Sequence, residues 1–305
     1  PGFTDSVVSG VSRSLLSPVG DVWFETELVV GDVSRVSLLG APAGDGFRVV
    51  AAVGEPVPDV TDGAVFGLSM DNGVSVAGLS RRVAPGVTAF VATLSGPGGD
   101  ASNDEAVFFA PAAGNTTLVY REGAPVSCGD GTSGAPSRNL AVSTGGVLFQ
   151  VDNGLYTWTA SEGVSVVACA GDPIPDADSE LSSFGSGLRQ IATMFETGEV
   201  AFSANVVEAG SGEPVEAIFV GHPVTGFTKV LAVGDALPGD NPGVLVSTIE
   251  GTRAAGASGS VLIRVRLTGV AGPLPSNSDS AWVLLRPGGL VETVLRENDR
   301  PAGMS

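Results

Sequence analysis

Apolar residues in this chain come in short runs, and each run is closed by Gly, Pro, Ser or Asp. No segment holds a helical period for three turns, so the pattern predicts strands joined by tight turns. One run recurs five times and opens with Gly, any residue, Val, any residue, then an apolar or aromatic residue. Its copies are Gly20-Asp21-Val22-Trp23-Phe24, Gly145-Gly146-Val147-Leu148-Phe149, Gly198-Glu199-Val200-Ala201-Phe202 and Gly259-Ser260-Val261-Leu262-Ile263. Gly73-Val74-Ser75-Val76-Ala77 is read as a degraded fifth. A second pattern alternates with it, an apolar strand ending in Gly, an acid and a nearby Pro. It is seen in Ala52-Val53-Gly54-Glu55-Pro56, Arg121-Glu122-Gly123-Ala124-Pro125, Ala170-Gly171-Asp172-Pro173 and Val233-Gly234-Asp235-Ala236-Leu237-Pro238. In Glu297-Asn298-Asp299-Arg300-Pro301, Asn stands in for Gly.

Between the two lies a third apolar run, such as Ala106-Val107-Phe108-Phe109 or Leu155-Tyr156-Thr157-Trp158, and ahead of each first pattern a looser Ser/Gly/Ala stretch. Each unit therefore holds about four strands. A repeat of that kind predicts the blade of a β-propeller. The expected fold is all-β, a five-bladed β-propeller forming one domain over residues 1–305, with repeats at 1–58, 59–127, 128–175, 176–239 and 240–305. An open stack of the repeats, or two β-sandwiches, is the rival arrangement.

The turn and strand pairs Phe195-Glu196-Thr197-Gly198-Glu199-Val200-Ala201-Phe202 and Arg121-Glu122-Gly123-Ala124-Pro125 carry a resemblance. Across essentially its whole length the chain resembles the choice-of-anchor tandem-repeat proteins named for their NxxGxxAF motif. The resemblance implies an exported bacterial protein with a surface-anchoring signal, and implies a location rather than an activity.

Composition fits the strand reading: 43% of residues are hydrophobic, with 44 Gly and 20 Pro dispersed along the chain. Gly supplies positive φ and Pro presets turn geometry. The formal net charge is -18, from 33 acids against 15 bases, and Lys229 is the one lysine. Nucleic acid is therefore not an expected partner, because phosphate binding draws on clustered Lys and Arg, and the sole adjacent basic pair is Arg81-Arg82. No run approaches the roughly 18 to 20 apolar residues that span a bilayer. The chain begins at Pro1 without a Met or a basic-apolar leader, which is read as part of a longer, processed precursor.

The inventory for chemistry is thin. His222, the one histidine, sits in Gly221-His222-Pro223, where a local hydrogen bond is the ordinary role. Cys128 and Cys169 flank repeated turns of neighbouring units, and an inter-unit disulfide across about 40 residues is expected, with two free thiols as the alternative. The repeated acids Glu55, Asp172, Asp235 and Asp299 are expected to be structural, accepting backbone N–H groups in their turns. No cofactor is expected. Calcium at Asp176-Ala177-Asp178-Ser179-Glu180 is a distant alternative, since the EF-type spacing is absent. The loose stretches carry Arg13, Arg138, Arg189 and Arg253, which would form an axial anion site if they faced a common axis, or else would pair with neighbouring acids.

The functional expectation is a non-enzymatic scaffold or binding module outside the cell or at its surface. It would contact protein partners or its own copies through the segments 95–105 and 207–213, without inserting in a membrane. The rival, from a different class, is a carbohydrate-binding or glycoside-cleaving propeller, which would use two acids about 5 to 9 Å apart.

Overall fold

A computed structural model describes residues 6–16, 20–30, 33–42, 46–67, 85–98, 100, 104–111, 113–126, 128, 134–137, 140–173, 179–184, 192–208, 214–238, 243–255, 260–269 and 279–297. The described residues are all-β apart from one 3-10 turn, Pro287–Gly289. Five antiparallel sheets follow one another in chain order, four of them four-stranded meanders of the kind that builds a propeller blade and one carrying a short fifth strand, so the five-blade reading of the repeats holds.

The first sheet runs β1 (Ser6–Leu16), β2 (Val22–Val30), β3 (Val33–Ala41) and β4 (Arg48–Ala52). The second holds β5 (Val65–Gly67), β6 (Val87–Ser95), β7 (Glu105–Pro111) and β8 (Thr117–Arg121), and the third β9 (Ala141–Ser143), β10 (Gly146–Val151), β11 (Gly154–Thr159) and β12 (Gly163–Cys169). In the fourth, β13 (Ser179–Phe184) and β14 (Ala192–Met194) both pair with β15 (Val200–Glu208), followed by β16 (Pro214–His222) and β17 (Gly226–Ala232). The fifth is β18 (Val244–Ala255), β19 (Val261–Gly269), β20 (Ser280–Leu285) and β21 (Val291–Arg296). Compactness divides the chain into two units, residues 1–166 and 167–305.

The second strand of the second sheet corrects one sequence reading. Gly73 lies outside the described residues, and the strand that pairs with the aromatic run Val107-Phe108-Phe109 starts after Gly86. Gly86-Val87-Thr88-Ala89-Phe90 is therefore the working copy. What the copies share is a large residue four places after the Gly, and in three of them that Gly holds a positive φ: Gly20, Gly86 and Gly198 at 93°, 73° and 84°. That residue meets the third strand at one register: Phe24 opposite Leu39, Phe90 opposite Phe108, Phe149 opposite Tyr156, Phe202 opposite Phe219 and Ile263 opposite Val283. The Phe90–Phe108 and Phe202–Phe219 rings stack at 5.2 and 5.4 Å. Directly opposed aromatic pairs of this kind are units of sheet stabilisation.

The first and second sheets bury faces against each other, and so do the fourth and fifth. Trp23 and Leu38 of the first sheet pack with Phe66, Phe90 and Phe108 of the second, and Ala201, Ile218 and Leu231 of the fourth pack with Val246, Val261 and Ile263 of the fifth. The central strand β6 is buried at nearly every position, as a strand covered on both faces must be, whereas β19 alternates strictly and turns Arg264 and Arg266 outward.

The acidic turn is a connector as well as a turn. Glu55 N–H donates to Ala52 C=O (3.0 Å), and Asp235 N–H to Ala232 C=O (3.1 Å), around Gly54 at φ 79° and Gly234 at φ 95°. A positive φ at the third position is the requirement of a type II turn. The same residues then grip the next sheet: Gly54 N–H bonds Phe66 C=O and Phe66 N–H bonds Glu55 C=O, at 2.8 and 2.9 Å. Gly234 and Asp235 repeat this double bond on Val246, at 2.8 Å each.

The disulfide is present: both cysteines are bonded, Cys128 with Cys169. It ties the segment ahead of β9 to the end of β12, so it closes the third unit around its own sheet rather than bridging two sheets. Cys128 is buried, and its N–H donates to the Tyr156 hydroxyl at 3.1 Å. Among the described residues, no helix is long and apolar enough to cross a membrane.

Candidate functional site

A cleft of about 960 Å³ lies between β4 of the first sheet and the approach to β8 of the second. Its floor is apolar, made by the main strand of β4 with Phe66. Its rim carries a different set of groups: Phe47, Arg48, Glu55, Asp59 and residues 115–117.

Phe47 immediately precedes β4 and is 63% exposed. Its ring stands edge-on to buried Phe24, with centroids 4.9 Å apart and planes at 82°. One contact thus fixes the ring while most of its surface stays available. Arg48 follows on the strand and crosses to the second sheet, donating to Gly114 C=O at 2.6 Å and to Pro111 C=O. Burial pulls its guanidinium below the usual arginine value. The opposite crossing is made by Thr116, whose hydroxyl donates to Val50 C=O at 3.0 Å. These bonds hold the 115–117 segment along the cleft.

The acids enter from the turn after β4. Glu55 ends the type II turn, and Arg35 from β3 donates to its carboxylate at 2.9 Å. Four residues on, Asp59 is exposed and holds φ 62°, one of two non-glycine residues at positive φ among those described. Asp tolerates the left-handed region better than most residues, and a side chain kept there is a recurrent mark of a functional loop. The cleft therefore combines a fixed, exposed aromatic ring, two carboxylates that accept hydrogen bonds, and the amide and hydroxyls of Asn115, Thr116 and Thr117.

Of the residues singled out from sequence, Glu55 reaches the cleft, where its carboxylate accepts from the Arg35 side chain rather than from a main-chain N–H as expected; the others fall elsewhere. Arg13 lies on β1 opposite Glu25, and Arg253 sits at the register shift between Thr252 and Ala254 of β18. Arg138 and Arg189 lie outside the described residues, as do Asp299 and residues 176–178 of the calcium alternative. Asp172 and Asp235 are turn acids: each carboxylate accepts a main-chain N–H, from Cys169 and Ala232 respectively, at 2.7 Å. His222 Nδ1 accepts from Val224 N–H at 3.1 Å in the β16–β17 turn. Among the described residues, no group of three or more His, Cys, Asp or Glu is placed to hold a metal ion. Sequence reasoning missed Phe47, Arg48 and the 115–117 segment. The available signal was a single aromatic after Gly44-Asp45-Gly46, outside the alternation of any strand.

A second carboxyl site lies on the same sheet pair's far strand. Glu122 N–H donates to Glu105 C=O at 2.8 Å, as Glu297 N–H does to Ser280 C=O at 2.9 Å in the fifth sheet. There the surroundings neutralise the acids, since Ser280 donates to Glu297 and Arg266 pairs with Asp279. In the second sheet Glu122 meets Asp104 instead. Burial, then the hydrogen bond to Asp104, pushes the Glu122 carboxyl above its usual range. A raised native pKa means that its contribution to stability is complete below about pH 4 and is lost as pH rises through the raised value. Glu122→Gln is accordingly expected to raise the thermal midpoint at pH 7 and to flatten its fall between pH 4 and 7, read by calorimetry across that range. An unchanged pH profile would refute the assignment.

Comparison with known proteins adds the following. A family model described as a family of unknown function (DUF7453) matches residues 1–147. No curated protein matches the chain in sequence. Similar solved structures include an α-L-arabinanase of Penicillium chrysogenum in complex with arabinobiose, at 11% identity and TM-score 0.34, covering 96% of this chain and 82% of that one. An α-L-arabinofuranosidase of Fusarium graminearum, also with arabinobiose, has 10% identity and TM-score 0.32, with 92% and 90% covered. An exo-β-1,3-galactanase from Clostridium thermocellum has 10% identity and TM-score 0.32, with 94% and 65% covered. These findings correct the expectations of a non-enzymatic scaffold and of a chain without enzyme activity: the similar solved structures are named as carbohydrate-cleaving enzymes, on the side of the rival reading. No residue role is carried over from them.

Proposed function

We propose that the chain is a carbohydrate-directed protein that takes a saccharide into the cleft beside β4. The observation that supports this most is Phe47, an aromatic ring held on edge and open to the cleft, with Glu55, Asp59 and Asn115 around it. A sugar presents an apolar C–H face and a perimeter of hydroxyls. An open aromatic face takes the first, and carboxylate and amide acceptors take the second, in the usual division of a largely apolar pocket with a few convergent polar groups. Glu55 and Asp59 are the two carboxyls of the cleft's lining, and a glycoside-cleaving pair would have to come from them. The disulfide supports an oxidising, extracellular setting, as does the resemblance of the repeats to exported tandem-repeat proteins.

Titration calorimetry against a panel of oligosaccharides, paired with a reducing-end release assay, tests the reading. Phe47→Ala is expected to weaken the best ligand at least tenfold, about 1.4 kcal/mol, with the fold intact by circular dichroism. If cleavage is observed, Glu55→Gln and Asp59→Asn are the variants expected to abolish it while binding survives. Absence of binding across the panel, or a Phe47→Ala variant that binds as the parent does, would sink the proposal.

A further inference from the structure

We infer that the cleft takes an extended, linear oligosaccharide, a stretch of a polysaccharide chain, and binds a mono- or disaccharide poorly. This rests on the cleft being a saccharide site, and concerns the length of ligand that the site reads. Its aromatic and polar groups stand at successive levels along β4. At the head, Phe47 precedes the strand and its ring packs on Phe24, with centroids 4.9 Å apart. At the middle, the Thr116 hydroxyl donates to Val50 C=O, which brings residues 115–117 alongside the centre of the strand. Past the tail, Glu55 ends the turn, and Arg35 donates to its carboxylate at 2.9 Å.

Register converts these contacts into a length. In the β2–β3 ladder Phe24 stands opposite Leu39 and Leu28 opposite Arg35, so the anchor of the ring and the anchor of the carboxylate are four residues apart on one face of the first sheet. Four residues of strand span ~13 Å at roughly 3.3 Å per residue, more than one sugar ring covers and about the reach of three linked sugars. Phe47 itself lies further out, since Val49 is the residue opposite Leu39. The turn that carries Glu55 begins past Val53, whose N–H bonds Val36 C=O at 3.1 Å, so the carboxylate enters from the far end of the sheet. Between the two ends the cleft is lined by Leu28, Leu39 and Val49, an apolar track suited to the C–H faces of successive sugars. A ligand that fills one station forfeits the others, whereas a single chain that reaches all of them loses its freedom once.

The experiment is titration calorimetry of the whole chain against complete length series, monomer to hexamer, of cello-, xylo-, manno- and arabino-oligosaccharides. Each ligand is recovered and sized afterwards, so that cleavage is not read as binding. In at least one series affinity is expected to rise about tenfold or more from the disaccharide to the tetrasaccharide, as for any chain long enough to engage separate stations. Phe47→Ala and Glu55→Gln, each folded by circular dichroism, are both expected to weaken the hexasaccharide of that series. The double variant should weaken it by the product of the two factors to within about twofold, the additivity of sites more than roughly 7 to 10 Å apart. Coupling beyond that places the ring and the carboxylate on one sugar and overturns the span. A shallower length dependence in every series that binds does the same, as does a Glu55→Gln variant that holds the hexasaccharide as the parent does; all of these leave the saccharide site standing. Binding by no member of any series removes the saccharide site itself and this inference with it.

Discussion

Trp23→Ala is expected to lower the unfolding free energy by about 3 to 5 kcal/mol, whereas Trp23→Phe should cost less than about 1.5 kcal/mol. Trp23 is fully buried where the first sheet packs on the second, among Leu38, Phe66, Phe90 and Phe108. Truncation to alanine opens a cavity between two sheets that have little freedom to close it. The phenylalanine variant is mild for a second reason. The indole Nε1 finds no hydrogen-bond partner among the described residues, so the parent already bears the cost of a desolvated donor that Phe does not have. Gly40 opposite makes the room, because a Cβ there would lie 3.1 Å from Nε1. Guanidinium titrations followed by far-ultraviolet circular dichroism read both variants without relying on the tryptophan signal. Equal losses for Ala and Phe would show that the indole nitrogen is satisfied after all.

The second large effect concerns Cys128 and Cys169. Removing the bond by Cys128→Ser with Cys169→Ser releases a loop of about 40 residues, for which the chain-entropy relation gives roughly 4 kcal/mol. That corresponds to a drop in Tm on the order of 10 °C for a cooperative unit of 150 to 250 residues. The double variant should melt with the reduced parent, and either single variant should match it. A double variant within 2 °C of the oxidised parent would mean that the third sheet holds its preceding segment without the bond.

Much of the fold was legible because the repeat is written in backbone requirements. Positive φ at Gly54, Gly123, Gly171 and Gly234, and an acid or Pro beside each, left a mark that does not depend on tertiary packing. The error at Gly73 shows where that legibility ends. Keying the strand on its Val selected a sequence with Val nearby, whereas the feature preserved in space is the residue opposite the third strand, Phe90 on Phe108. Which residue faces a partner is decided by register, and register is set across the sheet rather than along it. The cleft was hidden for a related reason. Phe47 and Thr116 are 69 positions apart in sequence, and nothing local announces that Arg48 will find the carbonyls of Pro111 and Gly114.

The turn that ends one sheet and binds the next also bears on how such a chain could have grown. Gly54 and Glu55 carry the main-chain groups that hold Phe66, and Gly234 and Asp235 those that hold Val246. Because the link is backbone to backbone, it places no demand on the side chains of the receiving strand. A gene segment duplicated from one acidic turn to the next would arrive with its own fastening to whatever first strand followed. The blades could then diverge in aromatic content, loop length and rim chemistry while the joint between neighbours stayed the same.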